Sequence, residues 1–225
     1  MAYRAPSRLQ RAFVDQPDSD LNVDPHQIAL ILVDIQRDFW QPLKEHPQFT
    51  TFANNVESLI SEARARGVYI VHVHSLFKPD RSDWMLFYRP QGRGLIPCIS
   101  GTEGALFENF AAPTSDEVII HKHTFDGFVG TDLEQVLRAQ DVKMALIAGL
   151  ETSVCVLFTA TSAYLRRIIP LVVSDACADE PSRHNSTLKI YSDLCFKTIT
   201  TSQIKRDWMS VLSLTAQFVD KLSGH

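Results

Sequence analysis

Short apolar runs alternate with amphipathic segments along most of the chain. The run IALILV at 28–33 shows no polar alternation, which is typical of a strand buried on both faces of a parallel sheet. The remaining runs are equally short and rich in β-branched residues, so each predicts a strand. The predicted strands are IALILVD (28–34), VYIVHVHS (68–75), EVIIHK (117–122), KMALIAGL (143–150), IIPLVVSDA (168–176) and CFKTI (195–199).

The segments between these runs have a helical period. In 52–66 the apolar positions recur three or four residues apart, and Gly67 provides a stop signal. In 130–140 Thr131 is the predicted N-cap, with Glu134 three residues later completing a capping box. Further helices are predicted over 153–167, 183–192 and 202–222.

This order of elements predicts one fold. Strands that alternate with helices form right-handed crossovers and a parallel sheet covered on both faces. We therefore expect a single-domain, Rossmann-like three-layer α/β/α fold with a mostly parallel six-stranded sheet over 27–225. The proline-bearing residues 1–26 are predicted to form an N-terminal arm. The irregular stretch 76–115 is long enough to favour a functional loop.

Composition excludes several classes of function. The chain has 45% hydrophobic and 21% charged residues, as a globular protein does. Its formal net charge is −4 and it has no basic cluster, which argues against a nucleic-acid partner. No uncharged apolar stretch is long enough to span a bilayer, so no membrane partner is expected. The four cysteines form no CxxC pair or disulfide framework, which favours the reducing cytoplasm.

Three chemically active residues lie at the ends of predicted strands. Asp34 closes the first strand, Lys122 closes the third, and Cys155 follows the fourth in AGLETSVCV. In a parallel α/β sheet the ligand site lies outside the carboxyl ends of the strands. We therefore expect these side chains to meet in one crevice, although they are far apart in the sequence.

These residue types together suit nucleophilic catalysis. A thiol attacks carbonyl carbon well only after losing its proton. A helix N-terminus and a nearby lysine both lower a thiol pKa, which predicts an activated Cys155. Asp34 can accept the thiol proton and return it to a leaving amine. Each residue also has an ordinary structural explanation, since Asp34 could cap a helix, Lys122 could be solvated and Cys155 could be an inert core thiol.

Five segments resemble one known family. They are ALILVDIQRDFW (29–40), GTEGALFENF (101–110), HKHTFDGFVGTDLEQVL (121–137), ALIAGLETSVCVLFTATSA (145–163) and VVSDACAD (172–179). On these segments the chain resembles the isochorismatase-like cysteine hydrolases, which include nicotinamidases and N-carbamoylsarcosine amidases. The resemblance implies that Asp34, Lys122 and Cys155 form a catalytic triad. It also implies a cis peptide bond between Leu150 and Glu151, with an oxyanion hole built from the N–H groups of Glu151 and Cys155.

Several side chains near these motifs are candidates for substrate contact. In the family an aromatic residue after the catalytic strand can stack on a planar substrate, and the loop 76–115 could close as a lid through Trp84, Tyr88, Arg89 and Arg93. Core packing, or surface charge for the arginines, explains the same residues. The substrate-contact candidates are Phe39, Trp40, His74, Trp84, Phe128 and Thr152.

The histidines of the second strand raise the question of a metal. His72 and His74 share one face of that strand and could begin a metal site with Asp80 or Asp83. A third nitrogen ligand is missing, and the spacing differs from the metal motif of the nicotinamidases. We therefore expect no metal and no other cofactor.

The resemblance implies a hydrolase that cleaves the C–N bond of a small planar amide or ureido substrate. A thioester on Cys155 would be the intermediate, and ammonia or an amine would be released. One alternative is an isochorismatase-type vinyl-ether hydrolase, although those relatives replace the cysteine. Another is a catalytically silent small-molecule-binding protein. The proline-bearing arm and the resemblance predict a homodimer or homotetramer.

Overall fold

The six apolar runs form one parallel sheet. The computed structural model describes residues 25–88, 96–192 and 194–213. Within them the strand order is β3-β2-β1-β4-β5-β6, and every neighbouring pair is parallel. The six-stranded prediction is confirmed. The strands are β1 Ile28–Val33, β2 Tyr69–Ser75, β3 Val118–Lys122, β4 Met144–Leu150, β5 Ile169–Ala178 and β6 Lys197–Ile199.

Helices cover both faces of the sheet. One apolar cluster joins α2 and α6 to alternate residues of β1 such as Leu30 and Leu32, and the other joins α3 and α4 to Ile31 and Val33. Because both faces are buried, β1 needs apolar residues at every position. The predicted three-layer, single-domain fold is confirmed. The helices are α1 Arg37–Trp40, α2 Phe52–Ala65, α3 Leu133–Ala139, α4 Leu157–Leu165, α5 Pro181–Tyr191 and α6 Thr201–Arg206.

Two helix predictions need correction. The capping box at α3 is wrong, because Asp132 is the N-cap and makes no side-chain cap bond. Thr131 Oγ1 accepts from the Leu133 N–H at 3.3 Å and donates to the Gly127 carbonyl, but Glu134 binds Arg166 and does not complete the box. The predicted helix 202–222 is interrupted at residue 207 and resumes over 208–213, beyond which it lies outside the described residues. The predicted arm also lies outside them, apart from its last two residues in a short 3-10 turn at Pro25–Gln27.

The close approach of β1 and β4 explains the glycine at position 149. Gly149 has a φ of +131°, and a Cβ there would lie 2.0 Å from the carbonyl oxygen of Val33. Only glycine allows the two backbones to come this near. The pairing therefore brings the segments that follow these two strands, with Asp34 and Cys155, to the same point of the sheet edge.

The long loop after β2 is tied to the segment after β1. Gln36 forms an antiparallel bridge with Phe107, and Phe77 a parallel bridge with Ile99. Asp38 accepts a hydrogen bond from the Cys98 N–H at 2.7 Å. Part of this loop, 89–95, lies outside the described residues. Within the described ranges, no helix is both long enough and apolar enough to cross a membrane.

The buried carboxylate of Glu117 links β2 to the start of β3 through hydrogen bonds. Glu117 accepts hydrogen bonds from Arg64 Nε at 2.8 Å and the Thr114 N–H at 3.1 Å, and it pairs with His72 Nε2 at 2.9 Å. Burial alone would raise the pKa of Glu117. The hydrogen bonds and the charge of these partners outweigh it and lower the pKa to about 2.

Replacing Glu117 with glutamine is expected to lower the free energy of unfolding at neutral pH. It should also make that free energy less sensitive to a fall in pH. The ionised carboxylate stabilises the fold fully above the ordinary pKa of 4.5, and this contribution is lost as pH falls towards about 2. Urea unfolding at pH 7 should show a loss of about 1–2 kcal/mol. The difference from wild type should shrink at pH 3, whereas exposed Glu57→Gln should show little difference at either pH. A constant difference from pH 7 to pH 3 would contradict this prediction.

Candidate active site

The three strand-end residues meet at one point. Asp34 directly follows β1, Lys122 is the last residue of β3, and Cys155 lies in a π-helical turn, Thr152–Val156, between β4 and α4. The Nζ atom of Lys122 is 2.7 Å from Oδ2 of Asp34 and 3.4 Å from Sγ of Cys155. Asp34 and Lys122 are completely buried, and Cys155 is 5% exposed. The sulfur therefore faces the other two groups.

Lys122 is held by a full set of acceptors. Besides the carboxylate and the sulfur, its ammonium donates to Ser75 Oγ at 2.7 Å and to the Thr124 carbonyl at 2.8 Å. Burial alone would lower the pKa of Lys122. The negative charge of Asp34, and hydrogen bonds to Asp34 and Cys155, raise it above its ordinary value. The lysine is therefore a fixed positive charge that does not give up its proton.

Gln36 orients the carboxylate through Ser75. The Ser75 N–H donates to Asp34 Oδ1 at 2.8 Å and to Gln36 Oε1 at 2.9 Å. Gln36 Nε2 donates in turn to the carbonyls of Ser75 and Ala105, both at 2.9 Å. This completely buried amide was not among the predicted site residues, although Gln36 lies two residues after Asp34 in the family segment ALILVDIQRDFW (29–40).

The resting state of Cys155 is a neutral thiol. Burial raises its pKa well above the usual range, and the neighbouring Asp34 carboxylate raises it further, while Lys122 acts in the opposite direction. The prediction of a thiol activated by a lowered pKa is therefore wrong. A thiol that donates to a carboxylate can pass its proton at the moment of attack, so this arrangement suits general-base activation.

The turn that carries Cys155 is fixed by side chains of later elements. The Leu150–Glu151 peptide bond is cis. The Ser153 N–H donates to Asp179 Oδ2 at 2.7 Å, and Thr152 Oγ1 is 2.8 Å from His184 Nδ1. Burial lowers the pKa of His184. Sequence reasoning missed Asp179 and His184, because their link to the turn depends on how β5 and α5 pack beside it.

Two substrate-contact candidates lie in the core. The Trp40 ring packs 4.5 Å from the ring of Phe52 and edge-on against Phe110, and it belongs to the cluster around α2. Phe128 belongs to the opposite cluster, with the Arg166 guanidinium 4.8 Å above its ring. Both environments account for the aromatic residues by packing, and their contact with substrate stays a prediction.

The other candidates are placed as follows. His74 Nε2 is 2.7 Å from the Ala105 carbonyl and its Nδ1 is 3.1 Å from His121 Nδ1, so both nitrogens have protein partners, and substrate contact stays a prediction. Trp84 Nε1 donates to the Lys78 carbonyl at 2.7 Å. Phe39 is partly buried between two apolar clusters. Thr152 lies in the nucleophile turn itself.

Tyr88 lies closer to the catalytic groups than the sequence indicated. Its ring packs edge-on against buried Phe77, with centroids 5.4 Å apart. Burial raises the pKa of Tyr88, and so does the negative charge of the Asp34 carboxylate. The sequence pointed to Tyr88 only as part of a possible lid, because the fold of that loop carries no periodic signal.

The histidines of β2 have structural partners. His72 pairs with Glu117, and His74 with His121 and the Ala105 carbonyl. Asp80 accepts from the Ser82 N–H and Asp83 from the Lys78 N–H. Over 25–88, 96–192 and 194–213, no group of three or more His, Cys, Asp or Glu side chains could hold a metal ion.

Fold and site together define a parallel α/β protein with a buried thiol, ammonium and carboxylate at the carboxyl edge of its sheet. The chain belongs to the isochorismatase family, since the Isochorismatase domain model matches residues 28–203. The resemblance seen in the sequence is thereby confirmed, and the protein is an isochorismatase-family hydrolase.

Relatives in this family have different activities. The chain is 26% identical to the phenazine biosynthesis protein PhzD1 of Pseudomonas aeruginosa, covering 81% of this chain and 87% of that protein. It is 26% identical to maleamate amidohydrolase of Pseudomonas putida, covering 68% and 73%. The crystal structure of pyrazinamidase from Pyrococcus horikoshii in complex with zinc superposes with a TM-score of 0.67 at 28% identity, covering 77% and 99%.

Proposed function

We propose that this protein is a cysteine amidohydrolase that cleaves the C–N bond of a small amide or ureido compound. The observation that carries the proposal is the position of Lys122 Nζ, 2.7 Å from the Asp34 carboxylate and 3.4 Å from the Cys155 sulfur. A vinyl-ether hydrolase has no need of a buried nucleophile beside a proton acceptor. The similarity to an amidohydrolase over two thirds of the chain agrees with this reaction.

The first half of the reaction forms a thioester. The sulfur of Cys155 attacks the carbonyl carbon while its proton passes to Asp34, and the carbonyl π electrons move onto oxygen. The N–H groups of Glu151 and Cys155 are the proposed donors to this oxyanion. When the tetrahedral intermediate collapses, the C–N bond breaks, and Asp34 gives its proton to the departing nitrogen. Ammonia or an amine is released, and Asp34 is again a carboxylate.

The second half returns the enzyme to its starting state. Asp34 removes a proton from water as the water oxygen attacks the thioester carbon. The C–S bond breaks, the carboxylic acid product is released, and the proton on Asp34 returns to the sulfur. Lys122 keeps its own proton throughout and compensates the negative charge, which lies on the Asp34 carboxylate between steps, on the oxyanion in each tetrahedral intermediate and on the sulfur when the C–S bond breaks.

Ammonia release across a panel of amides tests this function. The panel holds nicotinamide, biuret, ureidoacrylate, maleamate and N-carbamoyl amino acids, and the matched control is Cys155→Ala. We expect ammonia from at least one member with wild type and none with the variant. Mass spectrometry of a quenched reaction should show the acyl group attached to Cys155. Turnover without acylation of Cys155 would refute the mechanism, and binding without turnover would favour a silent binding protein.

A further inference from the structure

Four aromatic rings form a continuous row beside the catalytic residues. Tyr88 and Phe87 have centroids 5.3 Å apart, Phe87 and Phe125 5.7 Å, and Phe125 and Phe158 6.0 Å. We call Tyr88, Phe87, Phe125 and Phe158 the aromatic row. Phe87 is 50% exposed and Phe158 49%, although phenylalanine is usually buried. The outer part of the row therefore offers apolar surface to a ligand.

Two rings of the row lie close in sequence to residues of the catalytic centre. Phe158 lies in the first turn of α4, three residues after Cys155, which is nearly one helical turn. Phe125 directly follows Thr124, whose carbonyl accepts a hydrogen bond from Lys122 at 2.8 Å. Both residues thus follow the carboxyl ends of strands, where ligands bind in this type of sheet.

Tyr88 forms the inner end of the row. Its ring is fixed by edge-on contact with Phe77, which is 1% exposed and packs in turn near the ring of His123. Burial and the negative charges around the phenol raise its pKa, so the hydroxyl stays neutral. The row is therefore uncharged along its whole length, from a phenol beside the catalytic groups to phenyl rings at the rim.

We propose that the aromatic row is the subsite for the acyl part of the substrate, and that this part is apolar. A bound acyl chain attached at Cys155 would run along Phe125 and Phe158 and shield both rings from water. Burying apolar surface stabilises such a complex, and rings stack on one another with further gain. A charged acyl group would lose hydration at the row without gaining a partner from it. This assignment rests on the amidohydrolase function proposed above.

A series of primary amides that differ in the size and charge of the acyl group tests the subsite. The compounds are propionamide, hexanamide, 3-phenylpropionamide and the anionic maleamate, compared by kcat/KM. We expect hexanamide and 3-phenylpropionamide to exceed propionamide by at least about tenfold, and maleamate to be poorest. Phe158→Ala should lower kcat/KM for the two larger amides about tenfold, mainly through KM, and should lower it less for propionamide.

Leu165→Ala provides the matched control. Leu165 is also an exposed apolar residue of α4, but it lies seven residues beyond Phe158, about 10 Å along the helix. It should leave kcat/KM unchanged for every amide. If the exposed rings instead formed a subunit contact, Phe158→Ala would change the oligomeric state in light scattering and affect all amides equally. That result would overturn the proposal.

The two proposals fail in different ways. Hydrolysis of amides without preference for apolar acyl groups would overturn the subsite and leave the amidohydrolase function standing. If no amide is hydrolysed, calorimetric titration of Cys155→Ala with 3-phenylpropionamide still decides the subsite. Binding that weakens about tenfold in the double variant Cys155→Ala/Phe158→Ala supports it, and binding that is equal in both, or undetectable, overturns it.

Discussion

Replacing Cys155 with alanine is expected to lower amide turnover by at least about a thousandfold while the fold remains intact. The Cys155 sulfur lies 3.4 Å from the Lys122 ammonium, and a thiol gives up its proton far more readily than the neighbouring Ser75 hydroxyl. Removing the sulfur leaves Lys122 with Asp34, Ser75 and Thr124 as partners, so no buried charge is uncovered. Steady-state ammonia release and circular dichroism measure the two parts of this prediction.

Two further variants sharpen the result. Cys155→Ser should also lose most activity, because a hydroxyl gives up its proton to Asp34 far less readily than a thiol. Cys195→Ala should keep full activity, since that partly buried thiol packs beside the cluster around α3 and α4 instead. Full activity of Cys155→Ala would remove this residue from the mechanism.

Replacing Lys122 with methionine is expected to cost both stability and activity. The change leaves the completely buried Asp34 carboxylate without its counter-ion. Removing one partner of a buried ion pair typically costs about 3–5 kcal/mol, because the remaining charge is uncompensated. Urea unfolding should show this loss. Activity should fall as well, because the negative charge shared by Asp34 and Cys155 during the reaction is no longer balanced.

The double variant Asp34→Asn/Lys122→Met separates charge from packing. With both charges removed, the site holds no uncompensated ion, so much of the stability lost in Lys122→Met should return. Activity should not return, because the proton acceptor is missing. The single variant Asp34→Asn completes the comparison. If the stability losses of Asp34→Asn and Lys122→Met sum to the loss in the double variant, the ion pair does not stabilise the fold in this way.

The fold was predictable because the sheet is buried on both faces. That environment demands short unbroken apolar runs such as 28–33 and 144–150, and they stand out in the sequence. Ligand sites lie at the carboxyl ends of parallel strands, so the sequence alone predicted that Asp34, Lys122 and Cys155 meet there. Local pattern and topology were sufficient for these residues.

Side-chain partners across the site were not predictable in the same way. Gln36 contacts Ser75 and Ala105, 39 and 69 residues away, and nothing in the local sequence selects these partners. The pKa of Cys155 depends on how completely the neighbouring segments exclude water, which outweighs the local effect of Lys122. The capping box at Thr131 failed because the Glu134 carboxylate binds Arg138 and Arg166 instead of the Thr131 backbone N–H.

The protonated sulfur of Cys155 has a consequence for the enzyme outside catalysis. Peroxides and electrophilic drugs react with the anionic form of cysteine, and thiols that stay protonated at cellular pH escape most of this damage. Because Cys155 is only 5% exposed, the packing around it also keeps such reagents away from the sulfur. A covalent inhibitor for this site must likewise engage the neighbouring aspartate as its proton acceptor, and general alkylating reagents will be slow.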